Sequence, residues 1–198
     1  KELNNIIKNN SNVLELGVGT GRVTKLYAEK VSKIICCDNS LHMLNKAKEN
    51  LKEFNSKIIF KELDNRNTDE TDGIYDLIIE GWAIGHTAID EYDNLEIFVA
   101  NLIKSLLNKL SQNGKIIFIE TMGTNVEEPV VKNIKLNDFY NLIEEKYKMK
   151  KNIIKTDYKF NSISEAKRIM SFFFGKDIEN EIKSNIVKEY TGIWVLEN

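Results

Sequence analysis

Residues 13–21 of the chain read VLELGVGTG, a short apolar run that leads into three alternating glycines. The apolar run predicts a buried strand over Val13–Leu16, and Arg22–Lys30 behind it has the pattern of a helix. A glycine-rich turn between a strand and a helix N-terminus lets a ligand approach the backbone closely and meet free N–H groups. The stretch therefore predicts an α/β unit with a ligand-binding loop.

Strand-like and helix-like segments alternate over the rest of the chain, which is the pattern of a parallel sheet covered by helices. Further strands are predicted at Lys33–Asp38, Lys57–Glu62, Tyr75–Glu80, Lys115–Glu120, Asn152–Phe160 and Gly192–Leu196. Further helices are predicted at Leu41–Phe54, Leu95–Leu110, Leu136–Lys146, Ser164–Phe174 and Asp177–Lys188. The pair Asn113-Gly114 is predicted to be a break before the fifth strand.

The pattern indicates a single domain over residues 1–198, because no repeat, low-complexity tract or linker interrupts it. We predict a Rossmann-like, seven-stranded, mostly parallel sheet with helices on both faces. Residues 161–190 form a helical insertion before the last strand, and we expect this insertion to act as a lid over a bound substrate. Of the aromatics at 172–174, at least one should join the core, since three successive helical residues cannot all face one way.

Composition narrows the class of partner. The chain has 28 basic and 30 acidic residues and a net charge of −2, so it lacks the basic surplus that phosphate binding requires. It has no apolar run long enough to span a bilayer. The adjacent Cys36 and Cys37 form no disulfide framework, which fits a reducing cytosol. We therefore expect a cytoplasmic monomer or homodimer that acts on a small molecule and not on nucleic acid or a membrane.

Two further expectations follow from single residue types. With two histidines and no clustered cysteines, the chain is predicted to bind no metal. Because it begins at Lys1 rather than at Met, we expect a short segment to precede it.

An acidic residue, Glu15, stands two positions before the first glycine. Together with Gly17, Gly19 and Gly21 it resembles the first motif of the class I S-adenosylmethionine-dependent methyltransferases, which reads acidic-x-Gly-x-Gly-x-Gly. The resemblance implies S-adenosylmethionine as cofactor and S-adenosylhomocysteine as product. It also implies that the loop wraps the methionyl part of the cofactor, with Glu15 near the amino end of that part.

Three more strand ends supply expected cofactor ligands. Asp38 ends the second strand, where a carboxylate can accept both hydrogen bonds of a ribose diol, and Asn39 follows it. The resemblance implies the same role for Asp38; the alternative is a helix N-cap. It also places Asp64 and Asn65 at the adenine ring, although Asp64 also suits a turn. Glu80 ends the fourth strand and could bind the charged end of the cofactor or a substrate amine.

The acceptor side is expected beyond the fourth and fifth strands, because ligands of open α/β sheets bind past the carboxyl ends of the strands. Trp82, His86, Glu120 and Tyr158 are the candidate substrate-binding residues. His86 has the ordinary pKa range of a general base, and the alternative is a histidine that only anchors its loop. The segment lacks the Asp/Asn-Pro-Pro-aromatic motif of base-methylating enzymes, which disfavours DNA amino methylation.

The predicted function is thus in-line methyl transfer to an oxygen, nitrogen or sulfur of a small molecule. Three alternatives stay open. An NAD-dependent oxidoreductase would also use the glycines and Asp38, although Arg22 occupies the position of its third glycine. A non-catalytic protein that binds S-adenosylmethionine would keep Glu15 and Asp38. Aminopropyl transfer from the decarboxylated cofactor should show more acids around the amine pocket.

Overall fold

Nine strands form in the computed structural model, which describes residues 2–198. They are β1 Asn12–Leu16, β2 Lys33–Asp38, β3 Ile58–Glu62, β4 Tyr75–Gly81, β5 Leu110–Thr124, β6 Lys150–Lys155, β7 Tyr158–Lys159, β8 Ile186–Val187 and β9 Glu189–Glu197. Seven of them make one sheet in the order β3-β2-β1-β4-β5-β9-β6, and β7 pairs with β8 separately. In the sheet, β1 to β5 are parallel, and β9 is antiparallel to both of its neighbours.

Eight α-helices accompany these strands over the described residues. They are α1 Glu2–Ile6, α2 Thr24–Tyr27, α3 Leu41–Asn50, α4 Ile84–Asp90, α5 Leu95–Asn108, α6 Ile134–Glu145, α7 Ile163–Phe174 and α8 Ile178–Glu181. Short 3-10 turns lie at Ala28–Lys30, Lys52–Phe54, Asn65–Glu70 and Tyr92–Asn94. None of the helices within residues 2–198 has the length and apolar character needed to cross a bilayer.

Both faces of the sheet are covered, as the continuous apolar strands require. One core contains side chains from α1, α2 and α3, with Tyr27 and Leu51 fully buried. The other core contains side chains from α4, α5 and α6, with Phe139 and Trp194 fully buried. The predicted fold class, a seven-stranded and mostly parallel Rossmann-like sheet, is confirmed.

The sheet order fixes where a ligand can bind. From β1 the chain moves outward through β2 to β3, and it then returns to place β4 on the other side of β1. A crevice opens at such a reversal, beyond the carboxyl ends of the two strands. The glycine-rich loop after β1 lies at this point.

The predicted elements around residues 150–190 need correction. The strand predicted at Asn152–Phe160 is divided, because β6 pairs with β9 while Tyr158 pairs with Val187 in a second ladder. The helix predicted at Asp177–Lys188 ends at Glu181. Beyond that point Ile182 and Val187 pack on Ala166 and Met170 of α7, and the chain continues as β8.

Other departures are local. The helix α4 was not predicted, and the pair Asn113-Gly114 does not precede the fifth strand but lies within it, with Asn113 at a φ of 62°. Phe172, Phe173 and Phe174 are all exposed, so the expectation that one joins the core is wrong; α7 buries Ala166 and Met170 instead. The expectation for Lys1 lies outside the described residues.

Candidate functional site

The loop after β1 is shaped by the close approach of the segment after β4. Gly17 has a φ of +62°, and a Cβ atom there would lie 2.1 Å from the Cβ of Ala83. No side chain fits at that distance, so the position requires glycine for both its space and its backbone conformation. The predicted loop therefore packs directly against the end of β4, at the reversal point of the sheet.

A cavity of about 610 Å³ opens beside this loop, at the carboxyl ends of the first four strands. Predicted cofactor ligands from three of those strand ends meet there, and Trp82 and His86 line it as well. The residues that line it include Gly17, Val18, Gly19, Arg22, Val23, Asp38, Asn39, Leu63, Asn65, Trp82, Ala83, His86, Phe172 and Phe173. The tertiary structure thus joins residues that are up to 156 positions apart, from Gly17 to Phe173.

Asp38 connects the second strand with the glycine-rich loop. Its Oδ2 accepts a hydrogen bond from the backbone N–H of Gly19 at 2.8 Å, and its Oδ1 accepts one from Ser40 at 2.9 Å. Ser40, not Asp38, caps α3 through its side chain, which accepts from Met43. Each carboxylate oxygen can accept a second hydrogen bond. Asp38 therefore lies in the cavity wall with acceptor capacity left for a ligand.

At the third strand end, Asn65 and Asp64 differ in position. Asn65 lines the cavity beside the apolar Leu63. Asp64 caps the following 3-10 turn by accepting from the backbone N–H of Arg66 at 2.8 Å, and it pairs with the Arg66 guanidinium at 3.0 Å. The structure thus uses Asp64 as the turn residue that the sequence also allowed, and it is not among the residues that line the cavity.

Glu15 points away from the cavity and into the core beneath α2. Its Oε2 accepts hydrogen bonds from the hydroxyls of Thr24 at 2.7 Å and Tyr27 at 2.5 Å. Burial raises the pKa of Glu15 to about 7, and the two hydroxyl donors oppose that shift. In this structure Glu15 joins the glycine-rich loop to the helix behind it and is not among the residues that line the cavity. Its place near the amino end of the cofactor, directly or through water, stays a prediction.

Glu80 and Glu120 are also buried and do not line either cavity described here. Glu80 accepts backbone hydrogen bonds from Ala83, Ile84 and Ile119 at 3.0–3.2 Å. Glu120 accepts one from Gly85 at 2.6 Å. A Cβ at Gly85 would lie 2.8 Å from the Glu120 carboxylate, so only glycine fits there. The two acids therefore hold the start of α4, and neither directly contacts the space expected for substrate.

A second cavity of about 410 Å³ lies behind Trp82, on the α1–α2 side of the sheet. It is largely apolar, and it shares Arg22, Val23 and Trp82 with the first cavity. Its other lining residues are Glu2, Leu3, Leu26, Ile119, Ile154, Thr156, Thr191 and Ile193. Trp82 has a left-handed φ of 56°, and the guanidinium carbon of Arg22 lies 4.5 Å from the centre of its ring. This stacked pair forms the wall between the cavities.

His86 and Tyr158, two predicted substrate-binding residues, do not meet in one cavity. His86 is exposed in the first turn of α4 and lines the first cavity only. Tyr158 is half-buried and stacks on Phe160 with ring centres 6.2 Å apart. Burial raises the pKa of Tyr158, the nearby charge of Glu189 adds to this, and Arg22 opposes it. Tyr158 thus lies near Arg22 and Glu189, and it is not among the lining residues of either cavity.

Sequence reasoning missed Arg22 and Glu189 as site residues. Arg22 was considered only as the residue that replaces a glycine. Glu189 begins β9 and is buried, with Thr191 and Ile193 following at alternate positions. The available indication was an acid that falls on the same alternation as Thr191 and Ile193, since side chains alternate along a strand.

With this geometry in view, comparison with known proteins identifies the family. Residues 13–107 match the family model described as Methyltransferase domain. Over these residues the chain carries a methyltransferase domain of the class I S-adenosylmethionine-dependent kind. It is an enzyme that uses S-adenosylmethionine as cofactor. No curated protein matches the chain in sequence.

Solved structures show the same fold over nearly the whole methyltransferase chain. The N-methyltransferase NodS from Bradyrhizobium japonicum, in complex with S-adenosylhomocysteine, has a TM-score of 0.59 and 13% identity over 96% of this chain and 79% of its own. Precorrin-6y C5,15-methyltransferase from Geobacter metallireducens has a TM-score of 0.57 and 13% identity over 95% and 82%. Precorrin 8W decarboxylase from Methanobacterium thermoautotrophicum has a TM-score of 0.59 and 13% identity, over 94% of this chain and 82% of its own. These likenesses show the fold.

The first cavity has the chemistry that the cofactor requires. A carboxylate with free acceptor capacity, Asp38, suits a diol. The apolar Leu63 and the amide of Asn65 suit the face and edge of an adenine ring. The space beyond Gly19 is open, since a Cβ built there meets nothing within 4 Å. The residues present therefore fit S-adenosylmethionine in this cavity.

Proposed function

We propose that this methyltransferase acts on a small-molecule acceptor that occupies the second cavity. One observation carries the proposal: the apolar cavity and the cofactor-type cavity share the wall formed by Arg22, Val23 and Trp82. Only these side chains separate a donor in the first cavity from an acceptor in the second, so transfer requires Trp82 or Arg22 to move. The net charge of −2 gives no support for a nucleic-acid acceptor.

For the cofactor, we propose Gly17, Gly19 and Gly21 as the loop that holds the methionyl part. Asp38 and Asn39 bind the ribose, and Asn65 binds the adenine edge. When bound, S-adenosylmethionine supplies an electrophilic methyl group, so the protein needs mainly to position the acceptor and exclude water. We further propose residues 161–190 as the lid, because α7 brings the exposed Phe172 and Phe173 to the rim of the cofactor cavity.

The experiment that tests this function has a binding part and a turnover part. Calorimetry should show binding of S-adenosylmethionine and S-adenosylhomocysteine, and none of NAD. Transfer of radioactive methyl from labelled S-adenosylmethionine should then be screened over small amines, alcohols, phenols and thiols, with tRNA and duplex DNA included. Transfer to nucleic acid alone would overturn the small-molecule proposal, and comparable affinity for NAD would contradict the cofactor assignment.

Filling the second cavity gives the matched structural test. Leu26 is 63% exposed on its rim, so Leu26→Trp should fit without disturbing the core and should lower the affinity for acceptor. The control is Leu107→Trp, because Leu107 is also partly exposed but lies on α5, away from this cavity. Equal acceptor affinity in both variants would place the acceptor elsewhere.

A further inference from the structure

Glu189 carries a buried carboxylate oxygen without a partner. The side chain is only 2% exposed, and its Oε1 accepts a hydrogen bond from the Thr121 hydroxyl at 2.9 Å. Among the side chains that the structure describes, its Oε2 is the one buried nitrogen or oxygen without a hydrogen-bond partner. Leaving a buried carboxylate oxygen unpaired is unfavourable, and buried polar groups are nearly always satisfied. An unsatisfied group of this kind needs a functional explanation.

Glu189 lies next to the polar side of the second cavity, just beyond its lining residues. Side chains alternate along a strand, so Glu189, Thr191 and Ile193 share one face of β9. Thr191 and Ile193 line the cavity, and Thr191 is bonded to Thr156 through their hydroxyls at 2.6 Å. Along this face of β9 the side chains therefore change from apolar to hydroxyl in the cavity wall, and the carboxylate follows directly beyond it.

The charges around Glu189 leave it without a buried cation. Burial raises the pKa of its carboxyl group, the hydroxyls of Thr124 and Thr121 and the charge of Arg22 oppose this, and Asp157 adds to it. Arg22 is exposed and stacks on Trp82 in the wall of the cavity. The long side chain of Arg22 hydrogen-bonds to Tyr158, and it acts on Glu189 only as a nearby charge.

We propose that the second cavity binds an amine with an apolar body, and that Glu189 Oε2 accepts a hydrogen bond from its ammonium group and then takes a proton from it. The proposal deepens the function given above and rests on it. Leu3, Leu26, Ile119 and Ile154 supply the surface for the apolar body. An ammonium group donates a hydrogen bond to the unpaired oxygen and also neutralises the buried negative charge. A hydroxyl group donates a hydrogen bond but leaves the charge, and an anionic group adds a second negative charge.

Methyl transfer to a primary amine begins with a proton transfer. One proton passes from the ammonium nitrogen to Glu189 Oε2, which frees the nitrogen lone pair. That pair forms the new nitrogen–carbon bond to the methyl group, and the carbon–sulfur bond breaks with its electron pair retained on sulfur. The products are an N-methylammonium ion, S-adenosylhomocysteine and a protonated Glu189, which returns its proton to solvent. The positive charge of the sulfonium thus ends on nitrogen.

The experiment compares three probes of matched shape in the presence of S-adenosylhomocysteine. They are 2-phenylethylamine, 2-phenylethanol and 3-phenylpropanoate, and calorimetry measures the affinity of each. We expect the amine to bind about tenfold or more tightly than the alcohol, the scale of one charge-assisted hydrogen bond, and the acid not to bind. Equal affinity for amine and alcohol, or preference for the acid, would overturn the proposal.

Variants of Glu189 supply the second readout. Glu189→Gln keeps the acceptor for Thr121 but removes the charge, so it should lose the tenfold preference for the amine while S-adenosylhomocysteine affinity is unchanged. Glu189→Asp keeps the charge and should retain part of the preference. The matched control is Glu128→Gln, at an exposed glutamate outside both cavities, and it should behave as the wild type.

The two proposals fail differently. If S-adenosylhomocysteine does not bind the wild type, or if methyl transfer reaches only macromolecules, the proposed function fails. If the cofactor binds and alcohols, phenols or thiols are methylated while amines are not, the function stands and the amine proposal fails. If Glu189→Gln does not bind S-adenosylhomocysteine because it is misfolded, the comparison of probes on the wild type and on Glu189→Asp still decides.

Discussion

The carboxyl groups of Glu80 and Glu120 lie together at the first turn of α4, and each accepts backbone N–H groups from that turn. Glu80 accepts from Ala83 and Ile84, and Glu120 accepts from Gly85. Burial raises the pKa of Glu80 to about 7. Burial and the charge of Glu80 raise the pKa of Glu120 well above its usual range, so Glu120 is the member of the pair that holds a proton and donates it to Glu80.

This pair predicts how stability depends on pH. Unfolded glutamates release their protons near pH 4.3, roughly, while the folded pair retains a proton to higher pH. From about pH 4.5 upward, the folded state therefore binds more protons than the unfolded state. The contribution of this extra proton binding to the free energy of unfolding falls as pH rises through about 7. Glu15, with a pKa of about 7, acts in the same direction.

Glu120→Gln measures how much of this pH dependence comes from the pair and not from Glu15. The amide stays neutral, accepts from Gly85 and can donate to Glu80, so we expect the variant to gain stability relative to the wild type as pH rises from 5 to 8. Urea unfolding at four pH values measures the difference, and Glu128→Gln serves as the control. A stability difference that stays constant over this range would show that Glu120 is ionised in the folded protein.

Gly17→Ala should destabilise the protein and remove most cofactor binding. The left-handed φ of +62° alone costs an alanine about 1–2 kcal/mol, and the overlap with Ala83 adds to it. In the stability measurement Gly19→Ala is the control for backbone strain, since Gly19 has a φ of +54° but nothing within 4 Å of a Cβ. If the overlap is decisive, Ala83→Gly should partly restore the melting temperature of Gly17→Ala. An equal fall in the melting temperature of the two glycine-to-alanine variants would show that backbone strain alone destabilises Gly17→Ala.

Asp38→Ala should weaken binding of S-adenosylhomocysteine by about 1–3 kcal/mol, the scale for loss of a charged partner to hydroxyl groups. The variant also loses the hydrogen bond to Gly19, which helps to hold the loop. Calorimetry measures the affinity, with Asp93→Ala as an exposed control outside the cavities. Unchanged affinity in a folded Asp38→Ala protein would show that Asp38 only orders the loop.

His86→Ala distinguishes a general base from a residue of the cofactor cavity. His86 lines the first cavity and not the second, so we expect cofactor affinity to fall by about 3- to 10-fold, the scale of one neutral hydrogen bond, with kcat largely retained. His42→Ala, at the exposed histidine of α3, is the control. A fall in kcat of about 100-fold with unchanged cofactor affinity would instead assign the base to His86.

Much of the molecule follows from sequence patterns that act locally. The apolar run and glycines of residues 13–21 gave the strand, the loop and the helix, because burial and backbone freedom are properties of those residues themselves. The alternation of apolar runs and helical patterns gave the sheet. Asp38 was found because the end of a parallel strand has a known position at the ligand edge.

Only the tertiary structure decided where the acids point and what they bind. Glu15 faces Thr24 and Tyr27 because α2 folds back beneath the loop, and Glu80 and Glu120 meet because β4 and β5 are neighbours. The sequence did not predict the short α4, because carboxylates from two strands accept the backbone N–H groups at its start and no local side chain caps it. Glu189 is 167 residues from Arg22 in sequence, and only the antiparallel insertion of β9 beside β5 brings the two side chains near each other. The sequence alone thus determined the fold and the cofactor loop. The environment of each buried charge depended on contacts between distant segments, which no local pattern encodes.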